Sequence, residues 1–191
     1  MDLFYRLKNS PNSFLTPDVI SYNTLIKGCA IEKKDRLAFE LFIELKHDPA
    51  LKPKDVTYNS LIDVCVRCNK IHKAWSLLKE MFEGDADTPK PDNFTFSTLM
   101  KGIKPDDLYC FGPSNNMSEL NKAFTLLNEL KQRGYVKPDE ILYNCLIDAC
   151  VRFNDLTRAM KVFYQMQEEG ISPSSVTYGI IIKSFGQVNR I

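Results

Sequence analysis

The sequence has 191 residues, of which 44% are hydrophobic, so the chain is long and apolar enough to bury a core. Lysine and arginine total 25 against 24 acidic residues, for a formal net charge of +1, which excludes a strong global attraction to nucleic acids or anionic membranes. No apolar run approaches the ~20 residues that cross a bilayer, and six cysteines without a disulfide framework indicate a reducing compartment.

The first predicted helix recurs along the chain. "VISYNTLIKGCA" begins at Val19 and returns as "DVTYNSLIDVCV" at Asp55, "NFTFSTLMKGI" at Asn93, "EILYNCLIDACV" at Glu140 and "SVTYGIIIKSFG" at Ser175. Apolar residues in these segments recur at i, i+3, i+4 and i+7, which predicts one buried helix face. The starts are 36, 38, 47 and 35 residues apart, a period that is typical of stacked supersecondary units.

A second amphipathic helix follows each of the first four. Its copies are "DRLAFELFIELK", "HKAWSLLKEMF", "LNKAFTLLNELK" and "LTRAMKVFYQMQ". Each contains an alanine in the same phase, which allows paired helices to approach closely, and a proline then ends the unit. The pattern predicts an all-α fold, with two antiparallel helices per unit stacked into a superhelix.

These units set the expected domain boundaries. Residues 1–18 are the end of a preceding repeat, 19–54 repeat 1, 55–92 repeat 2, 93–139 repeat 3, 140–174 repeat 4, and 175–191 the first helix of a partial repeat 5. Repeat 3 carries an inserted loop at 103–118, with Pro105, Gly112 and Pro113 as helix breakers. The capping box "NMSE" (Asn116–Glu119) is expected to open the next helix. Because both ends fall within a unit, we expect more repeats beyond them, and the alternative is a chain that self-associates through its ends.

A second stripe lies beside the apolar one on the first helices. It runs through Val56, Asn59, Asp63 and Arg67, and again through Ile141, Asn144, Asp148 and Arg152. This combination suits an unstacked base. The large apolar residue can contact the face of the base, the small polar residue can hydrogen-bond to its edge, and the cation can bind its phosphate. The alternatives are packing of the apolar residues between repeats, amide hydrogen bonding at the helix N-terminus, and solvated surface charge.

The repeat resembles the pentatricopeptide repeat family. The resemblance is carried by "VTYNSLIDVCVR", the second-helix segment "AWSLLKEM" and the closing "KPD", and it covers almost the whole chain. It implies a right-handed α-solenoid of helix-turn-helix repeats that binds single-stranded RNA, one base per repeat, in organelle RNA processing, stability or translation. Mitochondria or plastids are the implied location, with the cytoplasm as the alternative, and no transit peptide is visible.

Carried over position by position, the resemblance implies three sets of RNA-contacting residues. The base-selecting set is Asn23, Lys54, Asn59, Asp92, Ser97, Asp139, Asn144 and Ser174, and the base-stacking set is Ile20, Val56, Phe94, Ile141 and Val176. Arg67 and Arg152 are the phosphate contacts, with Lys27, Lys101 and Lys183 as weaker candidates. The implied site is 5′-pyrimidine-U-G-C-3′, although Lys54 departs from the family's pattern.

Other functions have less support in the sequence. No phosphate loop, nucleophile motif or metal-ligand set occurs, so we expect no enzymatic activity, cofactor or metal. "CVRC" (Cys65–Cys68) resembles a zinc half-site, but Cys65 is in phase with the buried stripe. The alternative function is a protein-protein interaction scaffold, with Leu108, Tyr109 and Phe111 of the loop 103–118 anchoring a partner.

Overall fold

The computed structural model describes residues 4, 17–105 and 116–188. Regular structure within these residues is helical, in agreement with the predicted all-α class. The helices are α1 (Val19–Ile31), α2 (Asp35–His47), α3 (Asp55–Arg67), α4 (Ile71–Glu83), α5 (Asn93–Gly102), α6 (Asn116–Gln132), α7 (Glu140–Arg152), α8 (Leu156–Glu168) and α9 (Ser175–Val188). The chain divides into two compact units, Met1–Lys90 and Pro91–Ile191.

In the first unit, helices pack both within and between repeats. α1 packs on α2, α3 packs on α4, and the two first helices, α1 and α3, pack on each other. Ala38 and Ala74 are fully buried, as their small size and shared phase predicted. Ile26 and Ile62 fill the same position of α1 and α3 and are also fully buried, so the apolar stripe forms the core of this unit.

In the second unit, α5, α7 and α9 pack in sequence, and α7 packs on its own second helix, α8. Ala123 and Ala159 on the second helices are buried, as are Phe96 and Ile147 on the first helices. Because the first helices are neighbours within each unit, equivalent residues on their other faces are brought side by side.

The helices begin where local side chains bind the first backbone N–H groups. The N-cap carboxylates of Asp18, Asp92 and Asp139 accept from the N–H three residues later, at 2.8, 2.7 and 2.8 Å. The N–H of the N-cap residue in turn donates to the hydroxyl of a threonine in the first turn. The N···Oγ1 distances are 3.0 Å for Lys54 and Thr57, 3.2 Å for Asp92 and Thr95, and 3.1 Å for Ser174 and Thr177. These contacts satisfy donors that a helix end leaves unpaired.

Repeats 1, 2 and 4 share one turn between their two helices. Lys33, Asn69 and Asn154 adopt left-handed backbone conformations, with φ of 54°, 54° and 57°. The N–H of the following residue then binds the carbonyl five residues earlier, at 2.9, 2.8 and 2.9 Å. In repeat 3 most of the predicted loop 103–118 lies outside the described residues. Its last three residues, 116–118, are helical instead, because the second helix of this repeat, α6, already begins at Asn116.

The cysteines of the repeated stripe lie in the core. Cys29, Cys65 and Cys150 are buried free thiols, and burial raises the pKa of Cys65 and of Cys150 to about 12. They therefore act as small apolar side chains. In the described ranges, no three His, Cys, Asp or Glu side chains are grouped to hold a metal ion. Nor does any helix described here have both the length and the apolar character to cross a membrane.

Candidate nucleic-acid interface

The five large apolar residues expected to contact bases all lie on the surface. The exposed fractions are 72% for Ile20, 41% for Val56, 61% for Phe94, 67% for Ile141 and 60% for Val176. The tyrosines two residues further along α1, α3 and α7 are buried in the core. Packing between repeats would bury these apolar side chains, so their exposure argues against that alternative.

The small polar residues of the stripe are more deeply placed. Asn23, Asn59 and Ser97 are buried, and Asn144 is half-buried. The N-termini of α1, α5 and α7 are capped by aspartates, which removes the main structural explanation for a small polar residue at Asn23, Ser97 and Asn144. Among the described residues, the Oδ1 atoms of Asn23 and Asn144 are buried without a hydrogen-bond partner. An unsatisfied buried acceptor costs ~1–3 kcal/mol, so a ligand N–H placed there would be favoured.

A cleft between α7 and α9, which we call the α7–α9 cleft, joins these two kinds of residue. It encloses about 360 Å³ and is lined by Lys101, Glu140, Ile141, Asn144, Cys145, Asp148, Arg152, Val176 and Ile180. Ile141 and Val176 come from adjacent first helices, and Asn144 lies one turn beyond Ile141. The cleft therefore offers apolar contact to the flat faces of a ring and hydrogen-bonding groups to its edge.

The cleft also includes side chains that were not among the expected site residues, and two of them, Glu140 and Cys145, make contacts within it. Glu140 accepts a hydrogen bond from Nδ2 of Asn144, with an N···O distance of 3.3 Å. Cys145 is hydrogen-bonded to the hydroxyl of Ser97, and burial raises the pKa of its thiol. The i, i+4 spacing of Glu140 and Asn144 could have pointed to the first pair. Nothing in the sequence brings Cys145 to Ser97, because their contact depends on how α5 and α7 pack.

The other four base-selecting residues, which precede the first helix of the next repeat, have different surroundings. Asp92 and Asp139 are N-caps, and Oδ2 of Asp139 also accepts from Nδ2 of Asn93 at 2.8 Å. Oγ of Ser174 accepts from the N–H of Val176 at 3.1 Å. Lys54 occupies an N-cap position and makes no cap with its side chain. A carboxylate has about four acceptor positions, so capping leaves Asp92 and Asp139 able to accept further bonds.

The two arginines expected at phosphates are not equivalent. Arg67 has 52% of its side chain exposed and pairs with Asp63 at 2.7 Å. Arg152 has 27% exposed, pairs with Asp148 at 2.9 Å, and donates to the carbonyl of Met100 at 2.8 Å and to that of Ile103. Its guanidinium thus holds the C-terminal end of α5, where unpaired carbonyls gather. Arg67 is therefore the more accessible of the two arginines for contact with a phosphate.

The remaining cations are placed on the surface. Lys27, Lys101 and Lys183 are exposed on α1, α5 and α9. Carboxylates such as Asp63, Asp148 and Glu140 lie close to the same stripe. The interface therefore mixes both signs of charge, and long-range attraction to a polyanion will be weak.

The sequence of this chain matches the profiles of a known protein family. The sequence profile described as "PPR repeat family" matches residues 53–104 and 138–187, and that of the "Pentatricopeptide repeat domain" matches residues 12–68. The chain belongs to the pentatricopeptide repeat family. A chloroplastic pentatricopeptide repeat-containing protein of Arabidopsis thaliana is 29% identical over 94 residues, covering 49% of this chain and 11% of the relative. A second from the same plant is 34% identical over 76 residues, covering 38% of this chain and 15% of the relative.

Solved structures of the family share this fold. The maize pentatricopeptide repeat protein PPR10 in complex with an 18-nt psaJ RNA element matches with a TM-score of 0.73 and 24% identity, over 92% of this chain and 23% of that one. The PPR domain of Arabidopsis thaliana protein-only RNase P 1, in complex with tRNA, matches with a TM-score of 0.59 and 18% identity, over 87% and 80% of the two chains. The α-solenoid class is thereby confirmed. This pentatricopeptide repeat chain spans only 11% and 20% of the length of two curated relatives.

Proposed function

We propose that this chain is a sequence-selective module that binds single-stranded RNA, one base per repeat. The observation that carries the proposal is the α7–α9 cleft, where Ile141 and Val176 stand exposed on adjacent helices beside the unsatisfied Oδ1 of Asn144. An unstacked base has two apolar faces and a polar edge, so it matches both requirements at once. A paired base has its edge occupied, which is why a single strand is the proposed ligand.

The proposed repeats are 19–54, 55–92, 93–139 and 140–174, with 175–191 supplying one wall of the last site. In this proposal, the apolar residues Ile20, Val56, Phe94, Ile141 and Val176 contact base faces. Asn23, Asn59, Ser97 and Asn144 read base edges together with Lys54, Asp92, Asp139 and Ser174. Arg67 contacts phosphate, and Arg152 contributes less because its guanidinium is shared with α5. The proposed site remains 5′-pyrimidine-U-G-C-3′.

The energies expected for stacking and for association predict that these repeats alone bind RNA weakly. Stacking on an aromatic side chain contributes ~1–3 kcal/mol per base, and aliphatic contacts belong at the low end. Association costs ~4–15 kcal/mol. Four bases and one firm phosphate contact therefore exceed that cost by little, and affinity must come from adding sites along a strand.

The cellular role we propose is processing, stabilisation or translation of organelle RNA. Its support is the family, two RNA complexes among the structural neighbours, and relatives that are named as chloroplastic. A plastid or a mitochondrion is the proposed location. Leu108, Tyr109 and Phe111, on which the scaffold alternative depends, lie outside the described residues, and no structural observation favours that function.

The test is a fluorescence-anisotropy titration at low salt with three ligands: a single strand carrying 5′-CUGC-3′, the same strand scrambled, and a duplex. We expect the CUGC strand to bind most tightly. Ile141→Ser should weaken its binding about fivefold, the loss of roughly 1 kcal/mol of apolar contact. Ile43→Ser is the matched control, because Ile43 is equally a surface isoleucine but lies on a second helix, α2.

The outcomes separate three cases. Loss of affinity in Ile141→Ser but not in Ile43→Ser supports base contact at the cleft. Equal binding of all three ligands would mean that charge alone attracts RNA. If none of the three ligands binds, the alternative function as a protein-interaction scaffold is tested next. In that case, deletion of residues 106–115 should abolish binding of the protein partner.

A further inference from the structure

The α7–α9 cleft carries a carboxylate next to its base-contacting amide. Glu140 is the first residue of α7, one helical turn before Asn144. Both side chains line the cleft, and Oε1 of Glu140 accepts from Nδ2 of Asn144 at 3.3 Å. Glu140 is half-buried, so its carboxylate is held at the edge of the cleft.

This hydrogen bond fixes the orientation of the asparagine. A carboxylate can only accept, so the NH₂ group of Asn144 must face Glu140, and Oδ1 must point away from it. Oδ1 is the atom left buried without a partner among the described residues. Next to Asn144 the cleft therefore presents two acceptors, the amide oxygen of Asn144 and the carboxylate of Glu140.

We propose that Glu140 is a specificity-determining residue that disfavours uracil at this cleft, an inference that rests on the proposed RNA-binding function. Cytosine, adenine and guanine each carry an exocyclic amino group, which can donate to these acceptors. Uracil has a carbonyl in place of the cytosine amino group. The N3–H of uracil can donate to Oδ1 of Asn144, but its O4 then faces the carboxylate of Glu140, and two acceptors meet without a proton between them. The amino group of cytosine has two hydrogens and can donate to both acceptors. Among pyrimidines, the cleft selects cytosine.

Repeat 1 provides an internal comparison. Its asparagine, Asn23, also has a buried Oδ1 without a partner in the described part of the chain. The residue four positions earlier is Val19, which can neither accept nor donate through its side chain. The same asparagine therefore stands beside an apolar group in repeat 1 and beside a carboxylate in repeat 4. We expect repeat 1 to accept uracil as readily as cytosine.

The experiment uses the full 191-residue chain and two pairs of short RNAs, titrated by anisotropy at low salt. In 5′-CUGX-3′ the variable base lies at repeat 4, and in 5′-XUGC-3′ at repeat 1, with X either C or U. The wild type should favour C over U about fivefold to tenfold at repeat 4, the discrimination of one polar base contact. Glu140→Gln should reduce this ratio to about twofold, since glutamine is neutral and can donate to O4.

The controls isolate the role of Glu140 from general charge and from folding. Asp55→Asn removes a carboxylate from the first turn of α3 and should leave the repeat 4 ratio unchanged. Asp55 is shorter than Glu140 and is exposed, so uracil remains the proposed base of repeat 2. A helix-stabilising role of Glu140 at the N-terminus of α7 would lower the melting temperature of Glu140→Gln without moving the ratio. An unchanged ratio in Glu140→Gln, or a wild type that prefers U at repeat 4, would overturn this inference while RNA binding itself stands. If neither pair binds at all, the proposed function fails with it.

Discussion

Replacing Arg152 by alanine should destabilise the fold far more than replacing Arg67, although the two residues end nearly identical helices. The guanidinium of Arg152 donates to the carbonyls of Met100 and Ile103, two core residues at the end of α5. A hydrogen bond to a charged group contributes ~1.5–3 kcal/mol. With 27% of the side chain exposed, water replaces part of that loss, so we expect a cost of about 2 kcal/mol in the free energy of unfolding.

The control variant has a much smaller expected effect. Arg67 pairs with Asp63 on the surface, and exposed pairs at i, i+4 contribute ~0.3–0.5 kcal/mol. For a chain of this size, 1 kcal/mol shifts the melting temperature by ~2–4 °C. Arg152→Ala should therefore melt about 4–8 °C below the wild type, and Arg67→Ala about 1–2 °C below it.

Thermal melts followed by circular dichroism at 222 nm measure both shifts. Arg152→Lys should recover only part of the loss, because lysine presents a compact charge rather than a planar fork. In RNA titrations the order reverses. Arg67→Ala should lower the slope of log K against log salt by ~0.7, the contribution of one single-strand phosphate contact, and Arg152→Ala by less. Equal melting temperatures for the two alanine variants would refute the role assigned to Arg152.

Lys33 has a φ of 54°, a conformation that asparagine tolerates better than lysine. Lys33→Asn should raise the free energy of unfolding by about 0.5–1 kcal/mol in a denaturant titration, whereas Lys33→Ala should give no gain, and a gain from alanine would argue against strain. Burial raises the pKa of Glu80, but hydrogen bonds from Lys46 and Tyr58 together lower it from its ordinary value of 4.5. A lowered pKa stabilises the fold above pH 4.5 and ceases to do so as pH falls through the folded value. Between pH 6 and 3 the wild type should lose stability more steeply than Glu80→Gln.

The local features of this protein were predictable because they depend on neighbours in sequence. Helical periodicity separates Tyr143, which is buried, from Ile141, which is exposed, although the two are only two positions apart. The caps at Asp92 and Asp139 follow from contacts over three residues. The insertion predicted in repeat 3 rests on the same kind of local information, an excess in the repeat period.

Tertiary structure determined which contacts the same local sequence makes in each repeat. "IDVCVR" and "IDACVR" both end in an arginine that pairs with an aspartate four residues earlier. Only the packing of α5 against α7 gives Arg152 the carbonyl of Met100, 52 residues away in sequence. The same packing places Cys145 against Ser97. Periodicity fixes which face of a helix is buried, but the partner of that face comes from another repeat, and its identity is set by how the repeats stack.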